Sequence, residues 1–193
     1  GSQNWSAVMP AEFKRRRGYD LLSYLPVMAG VPLADAGTSE RVLQDVRETI
    51  AELFAGNFYG TLQEESRRKG VLFSAESMAP VGVGDGLLHF KYADLPMGEY
   101  WFRSPSHDKP NDILDAVSGA HIYGKPVVQA ESFTEIRLDW DEDPAMLKPL
   151  ADRNFALGIN RLVTHVFTHN PWTDRKPGMT LDKVGTYLQR DQV

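Results

Sequence analysis

Two glutamates stand where chemistry would be placed. Glu76 closes the short apolar run Val71-Leu72-Phe73-Ser74-Ala75-Glu76, and Glu131 closes Pro126-Val127-Val128-Gln129-Ala130-Glu131. A third run, Ile159 to Phe167, contains His165 and leads into the polar, aromatic turn Thr168-His169-Asn170-Pro171-Trp172. In parallel α/β folds the side chains at the carboxyl ends of the strands line one mouth, so these three strand ends are expected to meet. Two carboxylates facing each other across a pocket are what glycoside hydrolysis requires. One must be protonated to give a proton to the leaving oxygen, and the other ionised to activate water or attack carbon. Glutamate suits both tasks, because burial and neighbouring charge move its pKa in either direction. Trp101, Trp140 and Trp172 offer flat apolar faces for pyranose rings, and His107, Asp108, His165, His169 and Asn170 offer hydrogen bonds to sugar hydroxyls. Each type also has an ordinary structural use: a glutamate ending a strand caps helices and pairs loops, and a lone tryptophan more often packs a core.

The elements that must position these groups are legible as an alternation. The first 37 residues mix aromatics with Pro10, Pro26 and Pro32, which suggests irregular structure with short helices. From Thr38 to about Lys69, Val42, Val46, Ile50, Leu53, Phe54, Phe58 and Leu62 recur at three- and four-residue intervals. That spacing predicts a long amphipathic helix or helix pair, capped by Thr38 or Ser39 and weakened in its middle by Gly56 and Gly60. Strands are expected near 71–76, 126–131 and 160–167, with helices from Asp108 or Lys109 to about Tyr123 and from Pro144 to Leu157. Residues 77–109 read as a long functional connection. Strand, helix, strand, helix, strand is the order of a parallel α/β sheet or barrel.

Composition narrows the classes. With 42% hydrophobic and 24% charged residues, the 193-residue chain is neither disordered nor fibrous, and it has the length of a single domain. Its net charge of −5 supplies no general attraction for nucleic acid or anionic membranes. The basic run Lys14-Arg15-Arg16-Arg17 reads as a solvated or locally paired face. Cysteine is absent from the sequence, which excludes disulfides and thiolate chemistry. No apolar stretch approaches the ~20 residues of a membrane-spanning helix. Gly1-Ser2 reads as an expression scar, and residues 3–193 as one α/β domain; the N-terminus does not reveal localisation. No Walker A, G-x-G-x-x-G or G-x-S-x-G pattern is present. His165 and His169 have the spacing of a helical metal pair but fall on a strand and its turn, which weakens a zinc reading.

Longer strings then add a family likeness. Met9-Pro10-Ala11-Glu12-Phe13-Lys14-Arg15-Arg16-Arg17-Gly18-Tyr19-Asp20 with Tyr24-Leu25-Pro26 resembles a signature of glycoside hydrolase family 106. So do Asp94-Leu95-Pro96-Met97-Gly98-Glu99-Tyr100-Trp101, Ala120-His121-Ile122-Tyr123-Gly124-Lys125, Gln129-Ala130-Glu131-Ser132-Phe133-Thr134 and Gly158-Ile159-Asn160-Arg161. His165-Val166-Phe167-Thr168-His169-Asn170-Pro171-Trp172 and Pro177-Gly178-Met179-Thr180 complete the series, in the family's order. The resemblance implies an α-L-rhamnosidase-like enzyme that cleaves terminal sugars from glycans on a (β/α)8 barrel, by an inverting mechanism with two catalytic glutamates. By motif, Glu131 resembles the general base and Glu76 the general acid. A calcium ion near the sugar is also implied, with no ligands assigned, as is a periplasmic or secreted setting.

A complete barrel needs about 250 residues. The resemblance therefore implies a partial (β/α)8 barrel, its central-to-C-terminal part. Earlier strands, including an acidic Asp-Ser-Trp-Glu-like strand end, are expected upstream of Gln3, and more barrel sequence after Val193. Two other readings follow: a folded but inactive piece that self-associates as a homo-oligomer through open sheet edges, and a carbohydrate-binding module with aromatic platforms and no turnover. The expected partner throughout is a carbohydrate, with neither nucleic acid nor membrane.

Overall fold

In the computed structural model the apolar runs pair into one parallel sheet whose strands stand in chain order: β1 (Ser74–Glu76), β2 (Leu95–Trp101), β3 (Gln129–Thr134) and β4 (Arg161–Thr164). The structure describes residues 5–77, 84–104, 110–136 and 142–166, together with 169, 171, 172, 174 and 175. Order without reversal is the winding of a barrel segment, whereas a doubly wound sheet reverses part-way. The packing agrees. Helices α5 (Gly86–Phe90), α6 (Pro110–Ile122) and α7 (Pro144–Leu157) contribute Phe90, Ile113, Val117 and Leu147 to one core with Tyr100 and Ala130 of the sheet. The α/β class and the parallel, partial-barrel arrangement expected from the sequence are those observed.

Three of the four strands were expected, but β1 takes only the last half of its run, and β3 lies three residues later than expected, so that Glu131 sits inside it rather than at its end. The fourth, β2, corrects the reading of 77–109 as connection only, since that stretch also contains α5. Pro96 and Gly98 look like breakers, yet both sit inside β2 and are fully covered. Gly98 is there because α6 runs so close: a Cβ would stand 2.9 Å from the Asp112 carbonyl oxygen. Two residues that weaken a strand in isolation here let a helix lie down on one.

Before the sheet, α1 (Met9–Arg17), a 3-10 turn (Leu21–Tyr24), α2 (Leu25–Met28) and α3 (Ala36–Phe54) build a second, smaller core around Met9, Phe13, Leu21 and Val46. The predicted long helix is present, but Asp35, rather than Thr38 or Ser39, caps α3 by accepting from the Thr38 amide at 2.8 Å. Its weak middle is a π-helical stretch, Ala55–Gly60, which runs directly into α4 (Thr61–Arg68). The basic run is locally paired. Arg16 and Arg17 hold Glu52 of α3 at 2.8 and 2.9 Å, and Arg15 holds Glu12 at 2.6 Å.

Candidate active site

Side chains alternate across a strand, and here the two faces differ in kind. On β2, Pro96, Gly98 and Tyr100 are buried toward α6, while Leu95, Met97, Glu99 and Trp101 are half-buried on the opposite face. Register sets Glu99 directly beside Glu131, and Glu76 beside Met97. Ala75 packs into the helix-side core, which leaves Glu76 on the same inner face as Glu99 and Glu131. Three carboxylates from three adjacent strands therefore share one surface. Below them, Ser74 donates to the Gln129 side-chain oxygen at 3.1 Å.

The carboxyls repel one another, and the effect falls on Glu76. Burial first, and then the charges of Glu131 and Glu99, push the Glu76 carboxyl up to about 8. It is hydrogen-bonded to Glu131, an arrangement that also favours the protonated acid. Glu131 is held from its other side: Thr134 Oγ1 donates to Oε1 at 2.9 Å, and His165 Nδ1 lies 3.0 Å from that hydroxyl and 3.3 Å from the same carboxylate oxygen. Glu99 accepts from the Trp101 indole nitrogen.

Glu76 is also anchored through its backbone. Tyr59, from the π-helical stretch, donates to the Glu76 carbonyl oxygen at 3.0 Å. Its ring stacks on buried His89 at 4.4 Å, and His89 Nδ1 meets Ser77 Oγ at 2.7 Å. Burial lowers the His89 pKa, so this support is neutral at ordinary pH.

The sequence-predicted residues separate into groups. Glu76, Glu131 and His165 come together, and Trp101 lies at the end of β2 on their face, half-buried. His169 and Trp172 are exposed beyond β4, with the Arg175 guanidinium 5.2 Å from the Trp172 ring centroid. His107, Asp108, Trp140 and Asn170 lie outside the described residues. Sequence reasoning missed Glu99, Thr134 and Tyr59. Alternation of Met97, Glu99 and Trp101 was a signal for the first, masked by the neighbouring Pro96 and Gly98.

Comparison with known proteins identifies the family. The family model described as alpha-L-rhamnosidase, glycoside hydrolase family 106, matches residues 1–193. The chain belongs to glycoside hydrolase family 106. It is 40% identical over 191 residues to a Formosa agariphila protein named "Putative beta-glucuronidase", covering 98% of this chain and 16% of that one. It is also similar to the solved rhamnosidase of Novosphingobium sp. PP1Y, with a TM-score of 0.89 and 34% identity, covering 98% of this chain and 19% of that structure. The chain thus spans less than one fifth of either relative's length.

Several family 106 strings have structural duties here. In the first, Met9 and Phe13 fill the small core, and Tyr19 donates to Asp45 at 2.8 Å. Asp94 accepts from the Phe73 amide and from Gln63, tying the start of β1 to α4. Asn160 joins the beginnings of β3 and β4, accepting from the Val128 amide and donating to the Pro126 carbonyl, both at 2.9 Å. Among the described residues no group of three or more His, Asp or Glu is arranged to hold the calcium ion that the family resemblance implies.

Proposed function

We propose that this chain carries the acid–base pair of a glycoside hydrolase, with Glu76 as general acid and Glu131 as general base. One observation carries the reading: Glu76, its pKa raised by burial and by its carboxylate neighbours, shares the inner face of a barrel-type sheet with Glu131, in a family 106 chain. A carboxyl whose surroundings favour its protonated form suits the role of acid. In the proposed reaction Glu131 takes a proton from water, and the water oxygen attacks the anomeric carbon. As the glycosidic carbon–oxygen bond breaks, Glu76 gives its proton to the leaving oxygen. The products are a sugar of inverted anomeric configuration and an alcohol. Glu76 is then ionised and Glu131 protonated, and their mutual hydrogen bond returns the proton for the next cycle.

Inversion needs carboxyls separated by ~6.5–9.5 Å, and retention ~5–5.5 Å. In this reading the bound sugar and its water set the separation of the pair. The family description and the Novosphingobium neighbour favour a terminal α-L-rhamnoside as substrate. The name of the Formosa relative favours a β-glucuronide instead, so both belong in the assay. Because the chain is a small part of its relatives' length, turnover is expected of the full-length polypeptide. Tested on aryl α-L-rhamnoside and aryl β-glucuronide, that enzyme is expected to accept one of them and to release the inverted sugar, read by NMR of the first-formed anomer. Full turnover by Glu131→Gln on the accepted substrate would overturn the assignment of the base. Tight sugar binding surviving the loss of both glutamates, with no turnover in the wild type, would favour a binding module.

A further inference from the structure

We propose that Thr134, turned onto the inner face by a bulge at Phe133 and backed by His165, is the positioning residue that fixes the orientation of Glu131. The proposal rests on Glu131 being the base, and it concerns residues to which the family likeness assigned no such role. Gln129 and Glu131 lie on the inner face of β3, so strict alternation would send Phe133 inward and Thr134 toward the helices. The structure breaks the alternation at this point. Tyr100 pairs with Ser132 and the next residue, Trp101, pairs with Thr134, so Phe133 is the extra residue of the bulge. Phe133 takes φ 68°, a left-handed conformation that a bulky aromatic residue rarely adopts.

Two side chains are re-aimed as a result. Phe133 enters the helix-side core, 5% exposed and edge-on to Tyr100 at 5.3 Å. Thr134, 1% exposed, turns its hydroxyl to the carboxylate and donates to Oε1 at 2.9 Å. A hydroxyl has a single hydrogen. Once it is given to Glu131, the 3.0 Å contact with His165 Nδ1 requires the imidazole to donate to the threonine oxygen. The tautomer is thereby set, and the relay runs from His165 Nδ1–H to Thr134 Oγ1 to Glu131 Oε1. A bulge serving only to bury Phe133 would leave the direction of the hydroxyl arbitrary. Instead the hydroxyl contacts the carboxylate that faces Glu76. Strained backbone beside an active carboxylate is where such re-aiming devices gather.

The test uses the full-length enzyme on whichever aryl glycoside it accepts, with Glu131→Gln alongside. Thr134→Val keeps the shape and removes the hydroxyl. It is expected to lower kcat on the order of 10²-fold with KM little changed, the scale of a misplaced catalytic group. It should also move the acidic limb of the kcat/KM profile to higher pH, because a carboxylate that loses a donor ionises less readily. Thr134→Ser should restore both. Wild-type kcat and an unmoved limb in a folded Thr134→Val enzyme would overturn the proposal, as would failure of a folded Thr134→Ser to restore them. If Thr134→Val does not fold, His165→Ala decides: a fall in kcat with a shifted limb supports the relay, whereas a rise in KM alone assigns His165 to substrate contact and overturns it. Retained turnover in Glu131→Gln would instead remove the base assignment, an outcome separate from an inactive Glu131→Gln beside a fully active Thr134→Val.

Discussion

A carboxyl that touches a second carboxyl and lies near a third cannot ionise freely, and Glu76 is in that position. Its ordinary pKa of 4.5 rises to about 8 through burial and the charges of Glu131 and Glu99. Between those two values the folded chain holds a proton that the unfolded chain has released. The contribution of Glu76 to stability therefore falls as pH rises from 4.5 to 8, and levels off above. Glu76→Gln should remove that slope, leaving a flatter dependence in denaturant unfolding followed across the same range. An unchanged slope would mean that Glu76 ionises normally. At this scale the sequence was informative where a carboxylate ended an apolar run after a glycine, as Glu76 and Glu131 do. Glu99 escaped because it lies within a strand that its neighbours disguise. Thr134 escaped because a bulge, invisible to a period of two, changes the face it occupies.

At the scale of elements, local signals succeeded where a residue acts on its own backbone. Helix α7 spans Pro144–Leu157 as expected, and Asp143 caps it by accepting from the Met146 amide at 2.8 Å. Asp143→Ala is expected to cost about 1 kcal/mol in chemical denaturation. Local signals failed where a residue serves a neighbouring element. Nothing near Gly98 in sequence announces that α6 will lie against it, so glycine and proline read as breakers. The close approach makes a second prediction: Gly98→Ala should destabilise the chain by about 1–3 kcal/mol, since a backbone carbonyl cannot step aside as a flexible side chain can. An unaltered melting temperature would contradict so close an approach of α6 to β2. The π-helical stretch belongs to the same lesson. Gly56 and Gly60 signalled a weak point, but only packing shows that Tyr59 within it reaches the Glu76 backbone.

At the scale of the whole molecule, four parallel strands in chain order make, among the described residues, a barrel-type sheet whose edges are β1 and β4. Exposed strand edges invite pairing. The isolated 193-residue chain is therefore expected to self-associate, its mass by light scattering rising with concentration; a monomer at all concentrations would contradict this. The likeness to a solved rhamnosidase extends over nearly all of this chain but a small part of the larger protein, so sugar specificity is a property to be sought in the full-length enzyme. The central claim, that Glu76 and Glu131 divide acid and base between them, is tested most directly by leaving-group dependence in that enzyme. Turnover by Glu76→Gln and by Glu131→Gln should be compared on the accepted glycoside carrying a poor alkyl or a good dinitrophenyl leaving group. An acid is needed only when the departing oxygen needs a proton, and acid–base contributions are typically on the order of 10²–10⁴-fold. The account predicts that Glu76→Gln is crippled on the poor leaving group and nearly wild-type on the good one, while Glu131→Gln is crippled on both. Equal loss on the two substrates by Glu76→Gln, or full activity of Glu131→Gln on either, would contradict it.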